Sequence, residues 1–354
     1  MFMNWMMSII IYLGFKAENF FNFNQRHGSM IEKGEEMKYA IISDIHGNKP
    51  ALDAVLADAK RQGITDFIFA GDYCLSGPFP DECISTLRKI ENKIIIRGNE
   101  ERYLENLIGK DQSKWTDGQM QISYWNYRNV KKDNLEYLLS LPHRADFSSN
   151  GRDIHILHHV DDFIKVSNLE NYFNRSSALA LKYGDREMTP EYHRQQMHAA
   201  IEETIGFIEA ISKLSDGIYI FGHSHIQWSY KVPDREIYLI NPGSCGLPLD
   251  CIKNTLPYTI ITISDAGEVL IEEQRVPFDI KGYVEKIKQT SQYTEAGVWT
   301  KVIIKELLNA REHLVFFLKF AEEYANSIGD NIRPFTVDTW EKAYAEWENK
   351  GYIC

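Results

Sequence analysis

An α/β fold is what this chain predicts, and three observations carry that expectation. From Met37 onward, short apolar runs rich in β-forming residues alternate with segments whose apolar residues recur at helical spacing. The first three runs each end in a polar cluster holding Asp, His or Asn, and open α/β sheets place their ligands at strand carboxyl ends. After residue 280 the periodicity becomes helical throughout.

The first strand, residues 38–42, runs into Ser43-Asp44-Ile45-His46-Gly47-Asn48. Asp44 and His46 are two apart, so an extended chain would point both to one side, as two ligands of one metal ion require. Gly47 permits a sharp turn, Asn48 suits a helix cap, and Pro50 suits a first helical turn. Residues 51–62 then read as a helix on Leu52, Val55, Leu56 and Ala59, closed by Gly63. A second strand over 66–70 leads to Gly71-Asp72. A helix over 81–90 follows, and a third strand over 93–97 leads to Gly98-Asn99-Glu100. Strands separated by helices of this length imply right-handed crossovers and a largely parallel sheet.

Residues 101–150 read as helical, with Trp115, Tyr124, Trp125 and Tyr127 taken as packing residues. A strand over 154–157 ends in His158-His159, and 161–194 reads as a polar, loop-rich insertion. An amphipathic helix is expected over 195–214 on Ile201, Ile205, Ile208 and Ile211. Strand 218–221 ends in Gly222-His223-Ser224-His225, and strand 237–240 in Asn241-Pro242-Gly243-Ser244. Residues 258–263 and 269–273 alternate as an antiparallel hairpin turned at Ala266-Gly267. A long helix over 300–328, ended by Gly329, precedes a second over 338–349 that carries Trp340, Tyr344 and Trp347 on one face. Residues 281–354 are read as a helical cap on the α/β body, with a partner-binding module as the alternative.

Residues 1–36 are read as an N-terminal extension, loose or of non-native start, with an amphipathic membrane-surface segment as the alternative. Their apolar run over 1–15 falls short of the ~20 residues that span a bilayer. It lacks the basic start and small-residue cleavage site of a signal peptide. No stable membrane anchoring is expected. The charged fraction of 25% and hydrophobic fraction of 44% are ordinary for a globular protein. A net charge of −11 argues against a nucleic-acid polymer as partner, but a small phosphate ester remains compatible if metal ions supply positive charge. Five cysteines, odd in number and without Cys-x-x-Cys spacing, point to reduced thiols and a cytoplasmic location.

Asp44-x-His46, Gly71-Asp72, Gly98-Asn99, His158 and Gly222-His223-Ser224-His225 occur in order, each at a strand end. This series resembles the calcineurin-like metallophosphoesterase family across roughly residues 38–275. Asp44-Ile45-His46-Gly47-Asn48 and Gly77-Pro78-Phe79-Pro80 look most like its compact bacterial members. The resemblance implies a four-layer α-β-β-α sandwich of two mixed sheets over residues 37–280, followed by the C-terminal helical extension. It also implies a phosphoesterase acting on a small phosphate ester, a phosphodiester or activated monoester, through a hydroxide bridging two metal ions. Carried over by position, Asp44, His46 and His225 would hold one ion, and Asn99, His158 and His223 the other, with Asp72 bridging. Asp72, Asn99, Glu100 and His158 are the catalytic candidates. Oxygen and imidazole ligands without thiolate suit two divalent transition ions such as Mn, Fe, Ni or Zn, with Mn favoured.

Many relatives carry His where this chain has Glu100. Glu100 is read as a supporting hydrogen-bonding residue, the alternative being a general acid of raised pKa. His159 is read as a pocket residue or a mere neighbour. His143, His155, His193, His198 and His313 are taken as structural or exposed, and Cys245 as packed near the site. Arg175, Arg186 and Arg194 are read as solvated charges with the reach to meet a substrate phosphate. A phosphoprotein phosphatase is the alternative activity, and a non-catalytic scaffold of the same fold the alternative class.

Overall fold

A computed structural model describes residues 36–164 and 171–351, so the expectation for the N-terminal extension lies outside the described residues apart from Glu36. The chain order is β1 (Met37–Ile42), α1 (Lys49–Arg61), β2 (Asp66–Phe69), α2 (Pro80–Lys89), β3 (Lys93–Ile95), α3 (Glu101–Glu105), α4 (Gln121–Asn129) and α5 (Lys132–Ser140). It continues with β4 (Arg144–Ser149), β5 (Arg152–Leu157), α6 (Val160–Phe163), α7 (Ser176–Tyr183), α8 (Pro190–Glu203), α9 (Ile205–Ile211) and β6 (Gly217–Ile220). Then come β7 (Gln227–Lys231), β8 (Ile237–Pro242), β9 (Thr255–Ile263) and β10 (Val269–Pro277). The helices α10 (Ile280–Lys288), α11 (Ser291–Glu295), α12 (Val298–Asn309), α13 (Leu314–Ser327) and α14 (Val337–Asn349) follow.

The strands form two mixed five-stranded sheets, ordered β10-β9-β1-β2-β3 and β4-β5-β6-β8-β7. Parallel pairing is confined to β1-β2-β3 and to β5-β6-β8, and antiparallel strands flank it in both sheets. The period-2 alternation of each strand decides its two faces. In β1, Tyr39 and Ile41 meet Ile154, Ile156, Ile218 and Ile220 of the opposite sheet, while Ala40 and Ile42 meet Leu52 and Val55 of α1. Phe221 and Leu239 of the second sheet face helices α7 to α9 through Leu179, Met197, Ile201 and Phe207. The result is the expected four-layer α-β-β-α sandwich.

The N-terminal part of the pattern is realised closely. Asn48 caps α1 by accepting from Ala51 N–H at 3.1 Å, with Pro50 in the first turn. The hairpin β9-β10 turns at Gly267, which has φ +78°. Four readings are corrected. The segment 101–150 contains strand β4, and β7 was not foreseen. Both are edge strands of the second sheet, paired on one side only, and β4 alternates exposed with half-buried residues, so neither carries a strong apolar run. The helix expected over 195–214 breaks at Thr204, whose φ/ψ of −91°/82° ends α8, and Ile205 is 81% exposed. The helix expected over 300–328 breaks at Ala310 (φ +52°). There the Glu306 carboxylate accepts from His313 and Leu314 N–H, both at 2.8 Å, a side-chain bond across the turn that periodicity cannot show.

The C-terminal helices bury Trp340, Tyr344 and Trp347 around Phe317, the one-face pattern the sequence predicted. Helices α10 and α12 pack Ile280, Val284, Ile287 and Ile303 against Leu247 and Leu249, the segment that follows β8.

Candidate metal centre

The parallel strands of both sheets run in a common sense, so their carboxyl ends deliver polar turns to one place. From the first sheet come Asp44 and His46 after β1, Asp72 after β2, and Asn99 and Glu100 after β3. From the second come His158 after β5, and His223 and His225 after β6. Asp44, His46, Asp72, His223 and His225 all have positive φ, between 50° and 68°. A non-glycine residue there costs on the order of 1–3 kcal/mol and persists only where surroundings impose it. Neighbouring turns impose it here. Asp44 N–H donates to Gly71 O and His46 N–H to Asp72 O, each at 3.0 Å, and Ser244 Oγ donates to Asp44 O at 2.7 Å. Asp44 and His46 therefore converge through left-handed turns, not through the extended chain the sequence suggested.

Two glycines make room. A Cβ on Gly71, whose φ is +107°, would lie 2.5 Å from His158 Nδ1. A Cβ on Gly222 would lie 2.1 Å from Ser43 Oγ and 2.4 Å from Asp44 Oδ2.

Three overlapping groups of donor atoms result among the described residues. Asp44, His46 and His225 form one and Asp72, His158 and His223 another, and His46, Asp72 and Glu100 form a third that shares a member with each. The Nε2 atoms of His46 and His225 approach to 2.8 Å, with Asp44 Oδ1 at 3.8 and 3.5 Å from them. His158 Nε2 lies 3.1 Å from Asp72 Oδ2 and 3.9 Å from Asp44 Oδ1, and Asn99 Oδ1 lies 2.8 Å from His223 Nδ1. In three imidazoles the other nitrogen is engaged from behind: His46 Nδ1 by Glu100 Oε2 at 2.7 Å, His158 Nδ1 by Ala70 O at 2.6 Å and His225 Nδ1 by Leu247 O at 2.9 Å. Metal-binding histidines are held in this way, one ring nitrogen fixed and the other turned inward. The donor set and its outer partners fit divalent transition ions.

Electrostatics point the same way. Burial pulls His46 down, but Glu100, Asp72 and Asp44 outweigh it and raise the imidazole to about 9. His158 is likewise lowered by burial yet raised overall to about 10, chiefly by Asp72. His223 and His225 sit well below the ordinary range, through burial first and neighbouring imidazoles second. Burial raises Asp44 to about 6 and Glu100 to about 7. Burial also pushes Asp72 upward, yet His158 outweighs it and holds that carboxyl below the usual carboxylate range. Carboxylates dominate the centre, and cations there are favoured.

Sequence reading missed Glu101. It is fully buried, and its carboxylate accepts from Gly98 and Tyr73 N–H at 2.7 Å each and from Asp72 N–H at 3.3 Å, tying two ligand turns together. A second carboxylate directly after Gly98-Asn99-Glu100 was the available signal. His159 lies against His223 with ring centroids 3.4 Å apart and planes tilted by 34°, and burial, His158 and Arg175 push it down to about 3. Of the three arginines, Arg194 pairs with Glu273 and Arg186 covers Tyr192. Arg175 alone of them acts on the centre, its charge reaching His159 and His223. Cys245 is buried in the core, its N–H donating to Ser43 O at 2.9 Å. His143, His155, His193, His198 and His313 make structural contacts elsewhere, with Arg97, Asp146, Gln227, Ser229 and Trp347 respectively.

A fold of two mixed sheets with polar turns converging at their shared end defines a class, and comparison with known proteins names it. Residues 37–266 match the calcineurin-like phosphoesterase superfamily domain, and the chain belongs to that family. It is 30% identical over 255 residues to the uncharacterized protein MJ0912 of Methanocaldococcus jannaschii, covering 70% of this chain and 90% of that one. Among solved structures it is similar to a metallophosphoesterase from Sphaerobacter thermophilus, with TM-score 0.52, 21% identity, and coverage of 78% of this chain and 100% of that one. It is also similar to hypothetical protein PH1004 from Pyrococcus horikoshii OT3, with TM-score 0.50, 19% identity, and coverage of 78% and 99%. No helix among the described residues is long and apolar enough to cross a membrane.

Proposed function

We propose that this protein is a dinuclear metal-dependent phosphoesterase that hydrolyses phosphodiesters or activated phosphomonoesters. One observation carries the reading. Two donor clusters, each with a carboxylate and two imidazoles, lie side by side, and three of the four imidazoles are turned inward by bonds on the far nitrogen. Asp44, His46 and His225 would hold one divalent ion, Asn99, His158 and His223 the second, and Asp72 both, with Mn the favoured metal.

When bound, such ions lower the pKa of water and offset charge on phosphoryl oxygens. The chain's residues do the remaining work. Asp72 accepts from Glu100 N–H through Oδ1 at 2.9 Å and faces His158 through Oδ2, so its carboxylate is fixed between the clusters. Asn99 contributes a neutral oxygen, which limits negative charge facing an anionic ester. Glu100 is committed to His46 at 2.7 Å, which favours its supporting role over proton delivery to a leaving group. Among the described residues four cysteines are buried free thiols, which fits a cytoplasmic setting. A phosphoprotein phosphatase and a non-catalytic scaffold are less well supported. Asp44, His46, Asp72 and His158 are all buried, which suits a small ester better than a segment of another protein. A scaffold has no need of three outer bonds that aim imidazoles.

Elemental analysis of Mn-loaded protein, with assays on a panel of aryl mono- and diesters, tests the proposal. Close to two metals per chain are expected, with hydrolysis abolished by chelation and restored by Mn. Asp72→Asn should lower both metal content and rate. A protein that remains metal-free in excess Mn, or Asp72→Asn activity near wild type, would sink the dinuclear reading.

A further inference from the structure

Arg175 immediately precedes α7, and its Nη2 lies 3.5 Å from Asp161 Oδ2. Asp161 belongs to α6, three residues past His158, so the guanidinium lies against the corner that carries His158 and His159. The side chain is 18% exposed, yet its Nε is buried without a hydrogen-bond partner among the described residues. A guanidinium is a planar fork of donors matched to phosphoryl oxygens, and here the fork is held loosely with a donor unspent. The centre it flanks is otherwise lined by the buried or half-buried carboxylates of Asp44, Asp72 and Glu100. An approaching anionic ester would meet in Arg175 a permanent cation of the chain itself.

Its position is set from the C-terminal helices. Ser176 Oγ donates to Glu312 Oε2 at 2.7 Å, and Arg311 donates from Nη2 to Ala180 O at 3.0 Å. Both bonds reach α7 from the turn between α12 and α13.

We infer, resting on the phosphoesterase reading above, that Arg175 is the substrate-recognition residue of this centre. Its guanidinium binds a non-bridging oxygen of the ester's phosphate, and Glu312 positions it through Ser176. The specificity of the site therefore includes residues outside the motif turns.

The test compares Mn-loaded full-length wild type with Arg175→Gln and with Arg175→Met, which keeps the apolar stem. Each is titrated with inorganic phosphate and assayed for KM and kcat on an aryl phosphate. Loss of a charge-assisted hydrogen bond should weaken phosphate binding and raise KM on the order of 10–100-fold, with metal content and melting temperature held. Glu312→Ala should raise KM several-fold while kcat changes little. If Arg175→Gln melts early, Arg175→Met decides the matter. Unchanged phosphate affinity and KM in a folded Arg175 variant overturn the inference and leave the phosphoesterase reading standing, because wild type is then still metal-loaded and active. A wild type that takes up no metal and hydrolyses no ester overturns both.

Discussion

At the scale of single residues, the candidate centre depends on side chains that are absent as much as on those present. Gly222 lets the turn after β6 pass close to Ser43 and Asp44, where an added Cβ would lie 2.1 Å from Ser43 Oγ. Gly222→Ala must displace either Asp44 or the His223 turn. Forcing a methyl into such contact typically costs ~1–3 kcal/mol. A lowered melting temperature together with reduced uptake of Mn, of which Asp44 is a proposed ligand, is the expected outcome, read by calorimetry and metal analysis. Full metal content in Gly222→Ala would show that the turn has more slack than the geometry allows. Glu100 acts differently, by orienting His46 through Nδ1. Outer partners of ligating histidines are worth roughly 10–100-fold in metal affinity. Glu100→Gln keeps an oxygen for that bond and should bind Mn within a few-fold of wild type, whereas Glu100→Ala should lose about that factor. Aryl esters should tolerate Glu100→Gln. Selective loss of alkyl-ester hydrolysis in Glu100→Gln would instead identify Glu100 as the acid.

At the scale of elements, the turn between α12 and α13 carries a titratable burden. Glu306 is almost fully buried, and desolvation first, then the neighbouring Glu312, raise its carboxyl well above the ordinary range. A folded-state pKa above the unfolded value means that the native protein holds the proton to higher pH. Stability is therefore complete below the unfolded glutamate value of about 4.3 and declines as pH rises beyond it. Glu306→Gln removes this dependence, since the amide oxygen can still accept from His313 and Leu314 N–H and its NH2 can donate to Glu312. Denaturant unfolding should find the variant close to wild type at pH 5 and more stable than wild type at pH 8. A variant less stable than wild type at pH 8 would show that the charged carboxylate is favoured there. The same turn anchors α7 through Glu312 and Arg311, so its protonation and the placement of Arg175 belong to one structural unit.

At the scale of the whole fold, both sheets contribute to one centre. Three parallel strands of one sheet and two of the other end in candidate ligands. Ions bound there would tie the two sheets together at the end where their polar turns meet, in addition to the apolar layer of Ile41, Ile156, Ile220 and Ile240 between them. Binding to the native state alone stabilises by RT ln(1 + [L]/Kd), about 2.7 kcal/mol at a hundredfold excess over Kd. Mn should raise the melting temperature of wild type and chelation should lower it. Asp72→Asn should show a much smaller shift, because Asp72 faces both clusters. Equal Mn-induced shifts in wild type and Asp72→Asn would place the bound metal elsewhere.

The sequence by itself determined the alternation of strand and helix up to β3, the four-layer class through its resemblance, the C-terminal aromatic face, and the turns on which the candidate ligands lie. Those features are local. A cap at Asn48, a glycine after a ligand and a period of 2 or 3.6 are all written within a few residues. Only the tertiary structure decided what depends on partners distant in the chain. The edge strands β4 and β7 exist because a neighbouring strand offers them hydrogen bonds, and β4's own residues carry little apolar signal. The breaks at Thr204 and Ala310 interrupt segments whose periodicity alone would have continued. Glu101 ties Asp72 to Gly98, and Glu100 holds His46, across turns contributed by different strands. Arg175 looked like any solvated cation until the packing of α7 placed it against the His158–His159 corner. Hydrogen bonds and charges act over a few ångströms in space, and spacing along the chain records them only where the fold is local.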